Sequence, residues 1–210
     1  QFKNLVAISG LVITKLDGTA KAGAIVGIVD KYSLPVHFIG LVSDGGVHSM
    51  DSHLYKLVDL AESNKIENVF IHAITDGRDT DPRSGYSFVE SLVKNIDGKS
   101  AKIASLIGRY YTMDRDKRWE RVKEGYDLMV KGVGKKATDI LVAIKDSYAN
   151  EVTDEFIKPV VFVDSENQPL GKISPDDVVI CFNFRTDRLR EITMTLSQQD
   201  FPKTQIESRK

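Results

Sequence analysis

Cysteine is almost missing from this 210-residue chain, and the lone Cys181 rules out an internal disulfide. A basic excess is missing too. The chain has 29 lysines and arginines against 30 aspartates and glutamates, a formal net charge of -1. That balance argues against a general nucleic-acid or membrane-surface binder, so any positive field has to be local. No charged-then-apolar leader and no long uncharged apolar run are present, which makes the cytoplasm the expected location, with neither nucleic acid nor membrane among the partners. Internal repeats, low-complexity tracts and internal linkers are lacking as well, and residues 34–200 are expected to form one domain. What the chain does have is 41% hydrophobic residues, enough for a sizeable core.

Short β-rich runs alternate with segments of helical period, the pattern of βαβ units around a sheet. The expected fold class is α/β: three layers, Rossmann-like, with a mainly parallel sheet and helices on both faces. Residues 36–43 read as the first clear strand. Over residues 51–65, Leu54, Leu57, Val58 and Ala61 recur at i, i+3, i+4 and i+7, which gives one apolar stripe to lay on the sheet. Residues 69–74 and 103–107 read as strands. Between them a helix begins near Ser84, buries Phe88, Leu92, Val93 and Ile96, and stops at Asp97-Gly98. Trp119, Val122, Tyr126 and Met129 trace another helical face, closed by Gly132 and Gly134, and a further helix covers residues 138–149. Residues 160–163 and 178–182 complete the strands, and residues 188–196 read as the last helix. Cys181 sits inside the apolar run 178–182 and reads as a small core residue rather than a reactive thiol.

Four polar clusters lie where predicted strands give out: Ser43-Asp44-Gly45-Gly46-Val47-His48, Asp76-Gly77-Arg78-Asp79, Gly108-Arg109-Tyr110-Tyr111 with Arg115, and Asn183-Phe184-Arg185-Thr186-Asp187-Arg188. In an open α/β sheet the loops beyond the strands' carboxyl ends share one rim, so these clusters can converge on a single ligand. Five arginines and a histidine there suit phosphate and carboxylate groups. Asp44-Gly45-Gly46 makes a tight turn that delivers His48 to the mouth of the sheet. Asp76 and Asp79 flank Arg78 and are expected to hold it, with Asp79 left to meet hydroxyl groups. Arg109 and Arg115 would grip anionic groups, while Trp119 packs in the core. Arg185 and Arg188, three apart, are expected on one side of an opening helical turn, clamping one phosphate. His37 and His72 alternate with apolar strand residues and His53 lies on a helix, so these three read as packed or surface residues.

These motifs, in this order, resemble the phosphotransferase (substrate-binding) domain of cofactor-independent phosphoglycerate mutases. The resemblance runs over residues 36–196 and includes Met113-Asp114-Arg115-Asp116-Lys117-Arg118-Trp119. It implies that His48, Arg78, Asp79, Arg109, Arg115, Arg185 and Arg188 contact 2- and 3-phosphoglycerate, with Asp79 and Arg185 closest to the chemistry. It implies an isomerase of glycolysis and gluconeogenesis that needs no 2,3-bisphosphoglycerate. It further implies a phosphatase-like domain of the same polypeptide, holding two manganese ions and the serine that carries the phosphoryl group. No stretch here matches that serine motif or its metal ligands, so no metal site is expected in this chain and the chain alone is expected to be inactive. Residues 1–33 are expected to be a connector or N-terminal extension, and residues 201–210 a connector to the phosphatase-like domain. Met50 stands where the family commonly has a second histidine.

Two other function classes compete. A stand-alone sensor of a phosphorylated metabolite would use the same arginine pocket, and a reading frame that stops near Lys210 would favour it. A nucleotide-binding oxidoreductase would need a Gly-x-Gly-x-x-Gly run opening a helix after a strand, and Gly45-Gly46 lacks the third glycine.

Overall fold

A computed structural model describes residues 11–13 and 34–197 of the chain. The expected connector 201–210, and residues 1–10 and 14–33 of the expected N-terminal extension, lie outside the described residues. In chain order the elements are β1 (Leu11–Ile13), β2 (Val36–Leu41), α1 (Asp51–Ser63), β3 (Val69–Thr75), α2 (Gly85–Ile96), β4 (Ala101–Gly108) and the single turn α3 (Arg109–Thr112). They continue with α4 (Trp119–Tyr126), a π-helical turn (Asp127–Lys131), β5 (Lys135–Ala137), α5 (Ile140–Ala149), a 3-10 turn (Asp154–Phe156), β6 (Val160–Phe162), β7 (Val178–Cys181) and α6 (Arg190–Ser197).

The seven described strands form one sheet in the order β1-β7-β2-β3-β4-β6-β5. β1, β7, β2, β3 and β4 run parallel, and β6 turns the sheet by pairing antiparallel to β4. Alternation along the strands sorts the apolar residues into two cores. Val36 and Phe38 of β2 and Val178 and Ile180 of β7 face one core, with Leu54, Val58 and Ala61 of α1, Val89 and Leu92 of α2 and Ile144 of α5. Ile39 and Leu41, and Val179 and Cys181, face the other, with Val122 and Tyr126 of α4 and Ile192 and Leu196 of α6. Two apolar faces on one sheet require helices on both sides, which is the three-layer α/β architecture expected from the sequence. Cys181 is 1% exposed, and Trp119 packs half-buried against the second core.

A register shift between β3 and β4 puts His72 opposite Ser105 rather than Ala104. The extra residue lets a polar row cross the sheet interior. His72 lies 2.8 Å from Ser105 Oγ and 3.0 Å from His37, and His37 lies 3.1 Å from Asp177 Oδ2. Both histidines are fully buried, and the row satisfies polar groups that would otherwise be costly there.

Candidate functional site

The loops after β7, β2, β3 and β4 leave four adjacent parallel strands at the same end, so their side chains meet despite long sequence separations. Asp76, directly after β3, is the anchor. It is 1% exposed, and its carboxylate accepts from Ser43 Oγ at 2.8 Å, from the backbone N–H groups of Arg78 and Asp79 at 3.2 and 3.0 Å, and from Arg109 Nη1 at 2.6 Å. Burial by itself would raise its pKa, but these donors outweigh burial and hold the carboxyl below its ordinary value. Arg109, the first residue after β4, also donates to Asp79 Oδ2 at 2.5 Å. Burial works against its charge, yet the two carboxylates keep it firmly protonated. A buried guanidinium held from two sides stands in place before any ligand arrives.

This arrangement corrects the expectation for Arg78. Asp76 and Asp79 hold Arg109 instead, because Gly77, at φ 67°, turns the chain so that the Arg78 and Asp79 amides fold back on Asp76. A side chain at Gly77 would have no room, since its Cβ would lie 2.8 Å from both Asp154 Cβ and Glu155 N. The Arg78 side chain is 58% exposed and reaches Glu155 Oε1 at 3.3 Å.

His48 is buried between two carboxylates, with Nε2 3.7 Å from Asp79 Oδ2 and Nδ1 3.7 Å from Asp187 Oδ1. Burial first, and then the positive charge of Arg109, lower its pKa, so the ring is neutral at pH 7. Asp187 collects two cations, Arg185 Nε at 3.0 Å and Arg115 Nη1 at 3.1 Å. Arg185 and Arg188 do not share a helical turn, since α6 begins only at Arg190. Asp187 draws the Arg185 side chain to itself, and Arg188 points elsewhere.

The loops after β3, β4 and β7, with the start of α4 and the 3-10 turn, line an open pocket of about 410 Å³. Six arginines line it, Arg78, Arg109, Arg115, Arg118, Arg121 and Arg188, against three carboxylates, Asp114, Asp116 and Glu155. Tyr110, Met113 and Phe156 complete the walls. Arg188 donates from Nη1 only to the Met113 carbonyl, at 3.2 Å, and its Nε is buried without a hydrogen-bond partner. Burial, and then the charges of Arg115, Arg109 and Arg78, lower its pKa. The pocket is therefore short of negative charge and suited to a small anion with several oxygens.

Of the residues singled out in the sequence, Arg78, Arg109, Arg115 and Arg188 line the pocket. His48, Asp79 and Arg185 do not line it, but join it through Arg109 and Asp187. Sequence reasoning quoted Arg118 within a motif without giving it a role, and passed over Arg121. Arg121 stacks on Tyr110, 3.9 Å from the ring centroid, and its i+3 spacing from Arg118 was the available signal. Glu155 carried no signal, because the antiparallel return through β6 brings it to the rim. Among the described residues, no group of three or more His, Cys, Asp or Glu side chains is placed to hold a metal ion, and no helix is long and apolar enough to cross a membrane.

Comparison with known proteins agrees with this architecture. A 2,3-bisphosphoglycerate-independent phosphoglycerate mutase from Flavobacterium psychrophilum is 58% identical over 167 residues, 80% of this chain and 33% of that protein. One of the same name from Myxococcus xanthus is 47% identical over 79% of this chain and 33% of its own length. The chain thus spans about a third of the length of the curated relatives it matches. A Leishmania mexicana phosphoglycerate mutase, crystallised at low cobalt concentration, superimposes with a TM-score of 0.75 at 32% identity, over 86% of this chain and 38% of that one. The model of the family described as "BPG-independent PGAM N-terminus" matches residues 15–210, and with that span the chain belongs to this family.

Proposed function

We propose that this chain is the substrate-holding part of a phosphoglycerate mutase, with residues 34–200 as the phosphotransferase unit. Its arginine pocket takes 2- and 3-phosphoglycerate, which the full-length protein interconverts in glycolysis and gluconeogenesis. The observation that carries this reading is Arg188, a pocket cation whose Nε is buried and unpaired and on which the charges of other arginines outweigh that of Asp187. A small acid bearing both phosphate and carboxylate supplies the negative charge that the pocket lacks.

In this reading Arg109, Arg115 and Arg188 take phosphate and carboxylate oxygens, and Arg78 exchanges Glu155 for the ligand. Asp79 meets the glycerate hydroxyl that receives the phosphoryl group. His48 offers a neutral ring beside it, and Arg185 closes the charge cage from the Asp187 side. Phosphoryl transfer demands positioning and charge stabilisation above all, and a guanidinium group already fixed by two carboxylates provides both without reorganising. The serine that carries the phosphoryl group and the two manganese ions belong, on this proposal, to the remaining length of the polypeptide, and 2,3-bisphosphoglycerate is not required.

Calorimetric titration of the chain with 3-phosphoglycerate tests the reading. Binding should weaken with added salt and fall about tenfold or more in Arg188→Gln, as expected for loss of a charged hydrogen bond. The chain alone should show no mutase turnover. Absence of binding, or turnover without a partner domain, would refute the proposal.

A further inference from the structure

Residues 113–118, between α3 and α4, carry two of the pocket's arginines, Arg115 and Arg118. Two buried carboxyl groups grip the backbone of this segment. Asp114, 4% exposed, accepts the N–H groups of Asp116 and Arg118 through Oδ2, both at 2.9 Å. Glu191, in the first turn of α6 and 5% exposed, accepts the N–H in between, that of Lys117, at 2.9 Å through Oε1. Lys117 sits at φ 60°, a left-handed conformation that costs a lysine energy and persists where its surroundings enforce it. Three successive amides therefore end on two side chains from different elements.

Glu191 Oε2 is buried with no hydrogen-bond partner, and Asp114 is near enough to act on Glu191 as a like charge. Two buried carboxyl groups acting on each other raise the pKa of the one with fewer donors. Asp114 also receives Arg118 Nη1 at 3.1 Å, with Arg121 Nη1 3.9 Å away, so it is the better site for the charge. Burial, followed by the charge of Asp114, favours the proton on Glu191. The Lys117 N–H and the first-turn position in α6 oppose this and are outweighed.

We propose that Glu191 is a positioning residue for the arginine pocket: its buried carboxyl accepts the Lys117 N–H between the two amides held by Asp114, and so clamps the segment that presents Arg115 and Arg118. Its role in ligand binding rests on reading the pocket as a phosphoglycerate site. The clamp itself exists without ligand and is separately measurable.

The test compares the wild-type chain with Glu191→Gln, whose amide oxygen can still accept from Lys117, and Glu191→Met, which keeps the volume and cannot. Amide hydrogen exchange at Asp116, Lys117 and Arg118 is read by NMR without ligand, and 3-phosphoglycerate affinity by calorimetry. Wild type and Glu191→Gln should agree within about twofold in both, whereas Glu191→Met should exchange at Lys117 and lose affinity by about tenfold, the equivalent of one buried hydrogen bond. Full protection and affinity in Glu191→Met would reduce Glu191 to a core filler. A Glu191→Gln variant as weak as Glu191→Met would show that accepting the Lys117 N–H is not what holds the segment, and either result overturns the proposal. If Glu191→Met does not fold, the wild type decides, because Lys117 exchange at an open-loop rate also overturns it. Absence of 3-phosphoglycerate binding by the wild type would refute the reading of the pocket, and the exchange pattern would still judge the clamp.

Discussion

Asp76→Asn removes the charge around which the pocket is organised while keeping the side chain's shape. In the native site both carboxylate oxygens accept, Oδ2 from Ser43 and Oδ1 from two backbone amides and Arg109. An asparagine must turn an NH₂ group toward donors on one side. Arg109, 4% exposed, would then keep Asp79 as its only carboxylate partner. Breaking one side of a buried ion pair costs about 3–5 kcal/mol, and the surviving Asp79 contact places this case near the lower end, about 3 kcal/mol. With a urea m-value of about 2 kcal/mol/M, the unfolding midpoint should fall by about 1.5 M. Arg109→Met should also destabilise, since it strands Asp76. The double variant should recover about 2 kcal/mol relative to the sum of the two, because neither charge is then left alone. Urea unfolding at pH 7 followed by circular dichroism measures all three. Additivity within about 0.5 kcal/mol would refute the pairing as the organising contact of the site.

Two pH limbs follow from the buried groups. Asp76 has a depressed pKa, so its contribution is present above the ordinary value of 3.8 and is lost as pH falls through the lower folded value; the acid limb below about pH 4 should be shallower in Asp76→Asn. His72 is held well below its ordinary 6.5, by burial first and then by His37. The unfolded chain therefore takes up a proton that the folded chain refuses, and stability should drop by about 1.4 kcal/mol per pH unit below about pH 6.5. Equal urea midpoints at pH 7.5 and 5.5 would contradict this. Gly108→Ala would drive a Cβ into the Glu155 carbonyl oxygen. It should cost about 1–3 kcal/mol by thermal unfolding and weaken 3-phosphoglycerate binding by displacing the Glu155–Phe156 wall. Unchanged stability would mean that this close approach is not made in solution.

Periodic burial was legible in the sequence and pairing was not. Leu54, Val58 and Ala61 announce α1 because a single face meets the sheet, and the continuously apolar residues 178–182 announce a central strand. β5 escaped notice because Lys135 and Lys136 are exposed on an edge, where no apolar pattern is needed. The π-helical turn at Asp127–Lys131 lengthens the period on which a helical reading relies, so one helix was expected where two geometries occur. For the site, the glycine-acid-arginine clusters located the rim correctly, because strand ends are visible. Which carboxylate meets which arginine depends on contacts across thirty residues or more, and local proximity favoured Arg78 over the true partner, Arg109. The acid pair Asp114 and Glu191 was equally hidden, since nothing in a helix's first turn marks a glutamate as buried.

The claim at the centre is that arginines from three separate loops form one cradle for a small, multiply charged acid. A crystal structure of the chain soaked with 3-phosphoglycerate tests it most directly. The account predicts ligand density among Arg109, Arg115 and Arg188, with Arg188 Nε within hydrogen-bond distance of a ligand oxygen. Ordered ligand elsewhere on the molecule, with this pocket empty, would contradict it.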